Sequence, residues 1–286
     1  MNATTLAIAL GLFSAITLAT ANLAVKLGSD ILVGRAVLST SSALMVAPFA
    51  LVVPWPDAAT LAALGWAIPV HFAYQVCLIR ALERGDFSLV FPIMRGTAPL
   101  LTALAAAVIL GERLSAIGWL GLAIATVAVI AFAWPRQGGG WRSHPDAAAL
   151  GWAGATAIGV ALYSVADARG VRIAPTPVTY IVWLFMVDWV LVTITALAVR
   201  RGQVMAVVAA RWRYGLAAGA LSVLSFGSAL YAFSLIETAK VAALRETAVV
   251  WAAVFGARLL REGSGARRIA AAVMLVAGLI LLQFAG

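Results

Sequence analysis

Charge is scarce in this sequence. Of 286 residues, only 11% are Asp, Glu, Lys or Arg, against roughly 25% in soluble domains. Hydrophobic residues make up 64% of the chain. A water-soluble fold of this size cannot hide that much apolar surface, because much of any globule must face water. A soluble enzyme, a secreted disulfide scaffold and a disordered chain are excluded together. Lysine occurs only as Lys26 and Lys240, and the basic residues are scattered through short loops. No basic cluster with interleaved aromatics is present, so the net charge of +9 does not indicate nucleic acid. The single cysteine, Cys77, excludes an internal disulfide and a cysteine-based metal site. The two histidines, His71 and His144, lie in different segments without an H-E-x-x-H, which excludes a zinc protease. Neither a G-x-x-x-x-G-K-S/T loop for ATP nor a G-x-S-x-G nucleophile turn occurs. The expectation is a chain that is no enzyme and holds neither cofactor nor metal.

What is present is a succession of long apolar runs. A helix needs about 20 apolar residues to cross a bilayer. Apolar runs against polar breaks give ten segments, at about 6–26, 33–53, 60–80, 88–110, 115–134, 148–167, 178–199, 214–235, 240–259 and 267–285. Continuous runs, rather than short alternating ones, exclude a transmembrane β-barrel. The fold class is therefore an all-α integral membrane protein with ten transmembrane helices. No basic stretch precedes the first run, which reads as a span and not as a cleaved signal peptide. The longest connection, 135–147, contains Gly138-Gly139-Gly140 and separates a first part, 1–134, from a second, 148–286.

Positive charge in short loops sets orientation. The loops after spans 1, 3, 5, 7 and 9 hold fourteen basic residues, Lys26, Arg35, Arg80 and Arg200 among them. Those after spans 2, 4, 6 and 8 hold four, Arg113, Arg169, Arg172 and Lys240. The asymmetry predicts a multi-pass protein of the cytoplasmic (inner) membrane, with both termini outside.

The two parts resemble each other. Arg95-x-Thr97-Ala98, followed by Glu112, recurs as Arg245-x-Thr247-Ala248, followed by Glu262, at a constant offset of 150 residues. Spans 1 and 6 both carry a late polar residue, Asn22 and Asp167. Because five spans is an odd number, the second part enters the membrane inverted. Inverted repeats meeting at a midplane site are an architecture of secondary transporters.

These residues carry a family resemblance. Pro92-Ile93-Met94-Arg95-Gly96-Thr97-Ala98-Pro99, leading to Leu110-Gly111-Glu112-Arg113, resembles the EamA domain of the drug/metabolite transporter superfamily. Ala243-Leu244-Arg245-Glu246-Thr247-Ala248 answers it in the second part. The resemblance covers nearly the whole chain. Its most specific element is the Gly-Glu-Arg ending of span 4; the second ending, Arg261-Glu262-Gly263, departs from the usual order. The resemblance implies two inverted EamA-type five-helix repeats around a central cavity. Spans 1, 3, 4, 6, 8 and 9 would line it, with spans 5 and 10 bracing it. It also implies export or exchange of small metabolites, often amino acids.

Intramembrane charges cost about 2.5–3.5 kcal/mol each on insertion scales, so each needs a reason. Arg95 and Arg245 read as carboxylate-binding forks, or as arginines that snorkel or pair with Asp188, Glu246 or a helix-end carbonyl. Asp188 and Glu246 are candidates for proton coupling, or structural partners of an arginine. His71, Tyr74 and Gln75 form a polar stripe at i, i+3 and i+4. Tyr163, Ser225 and Tyr231 are facing candidates for a substrate-binding lining; Ser164 and Ser228 accompany them. For all of these the competing reading is interhelical hydrogen bonding. Pro69, Pro92 and Pro99 free helical carbonyls or merely kink. Gly215-x-x-x-Gly219 reads as close helix packing, and Trp55, Trp134, Trp141 and Trp212 as interfacial anchors.

The function read from the sequence is a secondary transporter exporting or exchanging small metabolites, amino acids first, by alternating access. The alternatives are an exporter of hydrophobic amines or drugs, and a passive metabolite channel. Expected partners are a small-molecule substrate and membrane lipid, with the chain a monomer or homodimer.

Overall fold

The computed structural model describes residues 2–26, 30–84, 87–133, 147–248, 250–251 and 266–284. Among them there is no strand. Ten α-helices follow in order: α1 (Ala3–Lys26), α2 (Ile31–Val46), α3 (Ala58–Arg84), α4 (Phe87–Ile109), α5 (Ala116–Ala133), α6 (Ala147–Ile173), α7 (Pro177–Arg200), α8 (Gln203–Phe233), α9 (Thr238–Arg245) and α10 (Ala266–Phe284). A 3-10 turn, Ala47–Leu51, extends α2. Six helical stretches are long and apolar enough to cross a membrane: Ala3–Ala21, Ile31–Leu51, Ala58–Arg84, Ala148–Ile173, Pro177–Arg200 and Trp212–Phe233. Shorter apolar helical stretches lie at Met94–Ile109, Ala116–Ala131 and Val273–Gln283. Helices are the expected answer to such composition, since lipid offers backbone amides no partner and a helix satisfies them internally.

Helix starts follow from side chains that can hold the first free N–H groups. Asn2 Oδ1 accepts from Thr5 N at 2.7 Å, and Asp30 Oδ1 from Val33 N at 3.0 Å. Asp57 Oδ1 accepts from Thr60 N at 2.8 Å. Thr176 Oγ1 accepts from Thr179 N at 3.1 Å, with Pro177 pre-set in the first turn of α7. The polar breaks of the sequence are thus caps.

Two helices outrun their apolar runs. α6 continues to Ile173 and α8 begins at Gln203, where hydropathy places the ends at 167 and 214. Hydropathy marks the lipid-facing length, whereas a helix continues wherever its polar residues find partners. Arg172, near the end of α6, donates from Nε to Phe233 O at 2.9 Å and from Nη2 to Ile236 O at 3.0 Å. It thereby covers the free carbonyls at the end of α8. The ninth segment is less regular than expected. α9 stops at Arg245, and Glu246 N and Thr247 N turn tightly onto Ala243 O and Leu244 O at 3.0 and 3.2 Å. The Thr247 hydroxyl also donates to Leu244 O, competing with the helical ladder. Its continuation through 252–265, including Glu262, lies outside the described residues, as do Trp134, Trp141 and His144. α3 and α4 pass through Pro69, Pro92 and Pro99 as helix.

The chain packs as two compact units, Met1–Gln75 with Ala166–Ile236, and Val76–Val165 with Glu237–Gly286. Each draws on both sequence halves, and α3 and α6 run from one into the other.

In the first unit α1 packs on α8, and α2 on both α7 and α8. Gly215 and Gly219 of α8 make the second contact possible. A Cβ on Gly215 would overlap Val37 Cγ1, and one on Gly219 would stand 2.6 Å from Ser41 Cβ and 3.1 Å from Ser42 N. Ser42 Oγ then donates to Gly219 O at 3.1 Å. The small-x-x-x-small pattern is a packing device here. Asp30 and Arg200 tie the start of α2 to the end of α7 at 2.7 Å. Trp55 and Trp183 meet at 4.8 Å between ring centroids, and Trp55 remains exposed, as an interfacial anchor would. Trp212 is half exposed under the Arg213 guanidinium at 5.4 Å.

In the second unit α5 and α10 cross at Gly121 and Gly278, with Leu122, Ala125, Ala128, Leu275, Leu279 and Leu282 buried around the crossing. α4 packs on α5 and α9. Gly111, at φ +68°, ends α4 in a left-handed conformation suited to glycine. Glu112 then reaches α9. Its Oε2 accepts from Thr238 N at 2.8 Å and its Oε1 from Thr238 Oγ1 at 2.7 Å. The Gly-Glu pair therefore ends one helix and caps another. Glu112→Ala should lower the unfolding free energy by about 1–2 kcal/mol, the usual cost of a lost cap. Thermal melting of the purified protein in detergent measures it. An unchanged midpoint would mean that the cap is dispensable.

Candidate functional site

Within the first unit, three helices bring polar side chains into an otherwise apolar interior. α3 carries His71 and Gln75 one turn apart on one face. α6 supplies Asp167, and α7 supplies Tyr180 and Asp188. His71, Gln75, Asp167 and Tyr180 are all buried, Asp167 and Tyr180 completely.

Asp167 is bonded at both oxygens. His71 Nε2 lies 2.9 Å from its Oδ2, and the Tyr180 hydroxyl donates to its Oδ1 at 2.9 Å. Buried carboxylates demand such partners. Gly170, one turn beyond Asp167, makes the tyrosine's position possible: a Cβ there would overlap Cε2 and Cζ of the Tyr180 ring. The imidazole of His71 is edge-on to Phe226 at 5.6 Å, and Phe226 meets Phe185 at 6.1 Å. Asp188 is bonded at one oxygen, where Gln75 Nε2 donates to Oδ2 at 3.2 Å. Arg35, on the second turn of α2, lies within electrostatic reach of both His71 and Asp188.

In the second unit the charges pair differently. Arg95 Nη1 of α4 lies 3.6 Å from Glu246 Oε1, where α9 ends, and both side chains are buried. Arg245 is buried beside them in sequence, at 6% exposure. Arg95 thus has a carboxylate at hand, the arrangement set against the substrate fork in the sequence reading. The Arg95-Gly96 step also serves packing, since a Cβ on Gly96 would stand 3.0 Å from Ile130 Cγ1 of α5.

The remaining candidates are dispersed. Ser225 Oγ donates to Ser14 O at 2.8 Å, across the α1–α8 contact. Tyr231 and Tyr74 are half-buried, and Tyr163 is buried in the second unit. Of the expected stripe, His71 and Gln75 join one polar cluster with Asp188.

Sequence reasoning did not single out Asp167, Tyr180 and Arg35 as site residues. In the sequence Asp167 is only a late polar residue of its span, because hydropathy places the helix end there. Arg35 counts in the sequence as an orienting loop charge, one turn inside a helix that begins at Ile31. Tyr180, at the start of a long apolar run, carries no local signal. The i, i+3 spacing of Asp167 and Gly170 ahead of a tyrosine could have suggested a ring lying on a glycine.

No family model and no curated protein matches the chain. Among solved structures, one described only as "Crystal structure of protein" matches 97% of this chain and 95% of its own length. Its TM-score is 0.75 at 17% sequence identity. At that identity the likeness is one of fold: this chain shares nearly its whole helical architecture with a protein of known structure.

Proposed function

We propose that the chain is a secondary transporter of the EamA type in the cytoplasmic membrane. It exports or exchanges small metabolites, amino acids foremost, by alternating access between two inverted five-helix repeats. In this reading all ten helices belong to the membrane domain, and both termini lie outside. Three of the helix pairings in the fold, α2 with α7, α4 with α9 and α5 with α10, join helices five apart in the order of the described helices. A twofold relation between the repeats would set such pairs against each other, which supports it.

The observation that carries the reading is the cluster of His71, Gln75, Asp167 and Tyr180, all buried, with the half-buried Asp188. In a chain with so few charges, two carboxylates and a histidine inside apolar helices are costly to keep. A structural tie would need one bonded pair. The cluster holds three, on three helices, with aromatic rings beside it. Such a group can exchange its internal hydrogen bonds for those of a polar solute.

A substrate-library thermal-shift screen of the purified protein tests the proposal. A ligand at about 100 times its Kd should stabilise the protein by about 2.7 kcal/mol. Saturable shifts by amino acids are expected. Shifts by hydrophobic amines alone would transfer the reading to drug export, and a screen without any shift would count against a binding site.

A further inference from the structure

Three buried polar groups near Asp188 are unanswered. Asp188 Oδ1, Gln75 Oε1 and Arg35 Nε are each buried and bonded to nothing among the described residues. Gln75 is 3% exposed, so its carbonyl oxygen has no recourse to solvent. The contrast with Asp167 is direct. That carboxylate, in the same unit, is bonded at both oxygens, whereas the Gln75–Asp188 pair makes one hydrogen bond, from Gln75 Nε2 to Asp188 Oδ2, and keeps two acceptors idle. Leaving a buried acceptor without a donor is costly, because its desolvation goes uncompensated. A pair kept that way points to a donor that arrives from outside.

The unanswered atoms are of opposite kinds. Gln75 Oε1 and Asp188 Oδ1 are acceptors, and an ammonium offers three donors to such a pair. Arg35 is a donor. Its guanidinium is close enough to bear on the charge of Asp188 and His71, yet it forms no ion pair among the described residues. A guanidinium presents a rigid fork matched to a carboxylate.

We propose that Arg35, Gln75 and Asp188 form a head-group subsite for a zwitterion, an α-amino acid. The ammonium sits on Gln75 Oε1 and Asp188 Oδ1, and the carboxylate sits on Arg35. The inference rests on the transporter reading and deepens it. A zwitterion answers all three groups and adds no net charge to a buried cluster. An amine alone would leave Arg35 idle, and a carboxylate alone would leave the two acceptors idle. Carboxylate recognition then belongs to Arg35, not to Arg95, which faces Glu246. The rings of Phe226 and Phe185 beside His71 offer an apolar wall suited to a large apolar substrate side chain.

Titration calorimetry on the detergent-purified protein tests this with two sets of three probes. Phenylalanine is compared with phenethylamine and 3-phenylpropanoate, and leucine with isopentylamine and 4-methylpentanoate. At least one amino acid should bind ten-fold or more tightly than both of its one-ended analogues, about 1.4 kcal/mol. Arg35→Gln should reduce the amino acid to the level of its amine, and Asp188→Asn to the level of its acid. Analogues that match the amino acids in the unmodified protein overturn the inference, and this comparison needs no variant to fold. So does unchanged amino acid affinity in both folded variants, or binding of amines or acids without either amino acid. In each of these cases the transporter reading survives, because something still binds. If none of the six probes binds, the inference falls; if no compound of the wider library binds or is carried either, both fall.

Discussion

Gly278→Ala should cost the protein about 1–3 kcal/mol, the usual price of overpacking, and Gly278→Leu considerably more. The reason is backbone contact. A Cβ at Gly278 would stand 2.7 Å from Ala125 N and 2.7 Å from Gly121 O; one at Gly121 would stand 2.6 Å from Leu282 N. These are main-chain atoms in the middle of α5 and α10, so no rotamer change can relieve the clash and the helices must separate. Separation exposes Leu122, Leu275 and Leu282, all buried to 2% or less. In lipid this loses dispersion and close packing rather than hydrophobic burial. The expected result is a lower melting midpoint in detergent and less folded protein. Gly151→Ala is the control: nothing lies within 4 Å of a Cβ there, and alanine favours a helix over glycine by about 1 kcal/mol. Equal losses at the two sites would contradict the backbone crossing.

Asp167→Ala should be more damaging still to stability, and should impair substrate binding as well. The substitution leaves His71 Nε2 and the Tyr180 hydroxyl, both in a buried interior, without the acceptor that each now has at 2.9 Å. Removing one partner of a buried pair typically costs about 3–5 kcal/mol. The ring of Tyr180 would still lie on Gly170, but nothing would fix its hydroxyl or the orientation of His71. Asp167→Asn, which keeps one acceptor oxygen, should recover part of the stability. Melting curves of the two variants, with substrate binding measured on whatever folds, check the expectation. An Asp167→Ala protein that melts and binds like the parent would remove Asp167 from the account.

The fold was largely legible because bilayer-length apolar runs and polar caps are local signals. Described helices overlap each expected segment, although α6 and α8 outrun theirs and part of the ninth lies outside the described residues; Asp30 and Asp57, in polar breaks of the sequence, cap the helices that follow them. The glycine pair of α8 was also legible, since its spacing alone puts both on one helix face. Gly121 and Gly278 were not, because they lie 157 residues apart and only the packing brings them together. The same holds for the site. The stripe of His71 and Gln75 follows from helical periodicity, but its partners come from α6 and α7. Asp167 stood at an apparent helix end that proved to be helix interior, and Arg35 looked like a topological charge. Single residues reveal their polarity in sequence; their pairing is a property of tertiary structure.

The central claim, that this chain moves a solute by alternating exposure of a binding site, is tested most directly by counterflow. The purified protein is placed in proteoliposomes loaded with unlabelled amino acids and diluted into trace labelled amino acid. The account predicts transient, saturable accumulation of label above equilibrium, and none in unloaded vesicles. Unsaturable flux indifferent to the internal load would indicate a channel. The absence of flux with any amino acid or amine would contradict the transporter altogether.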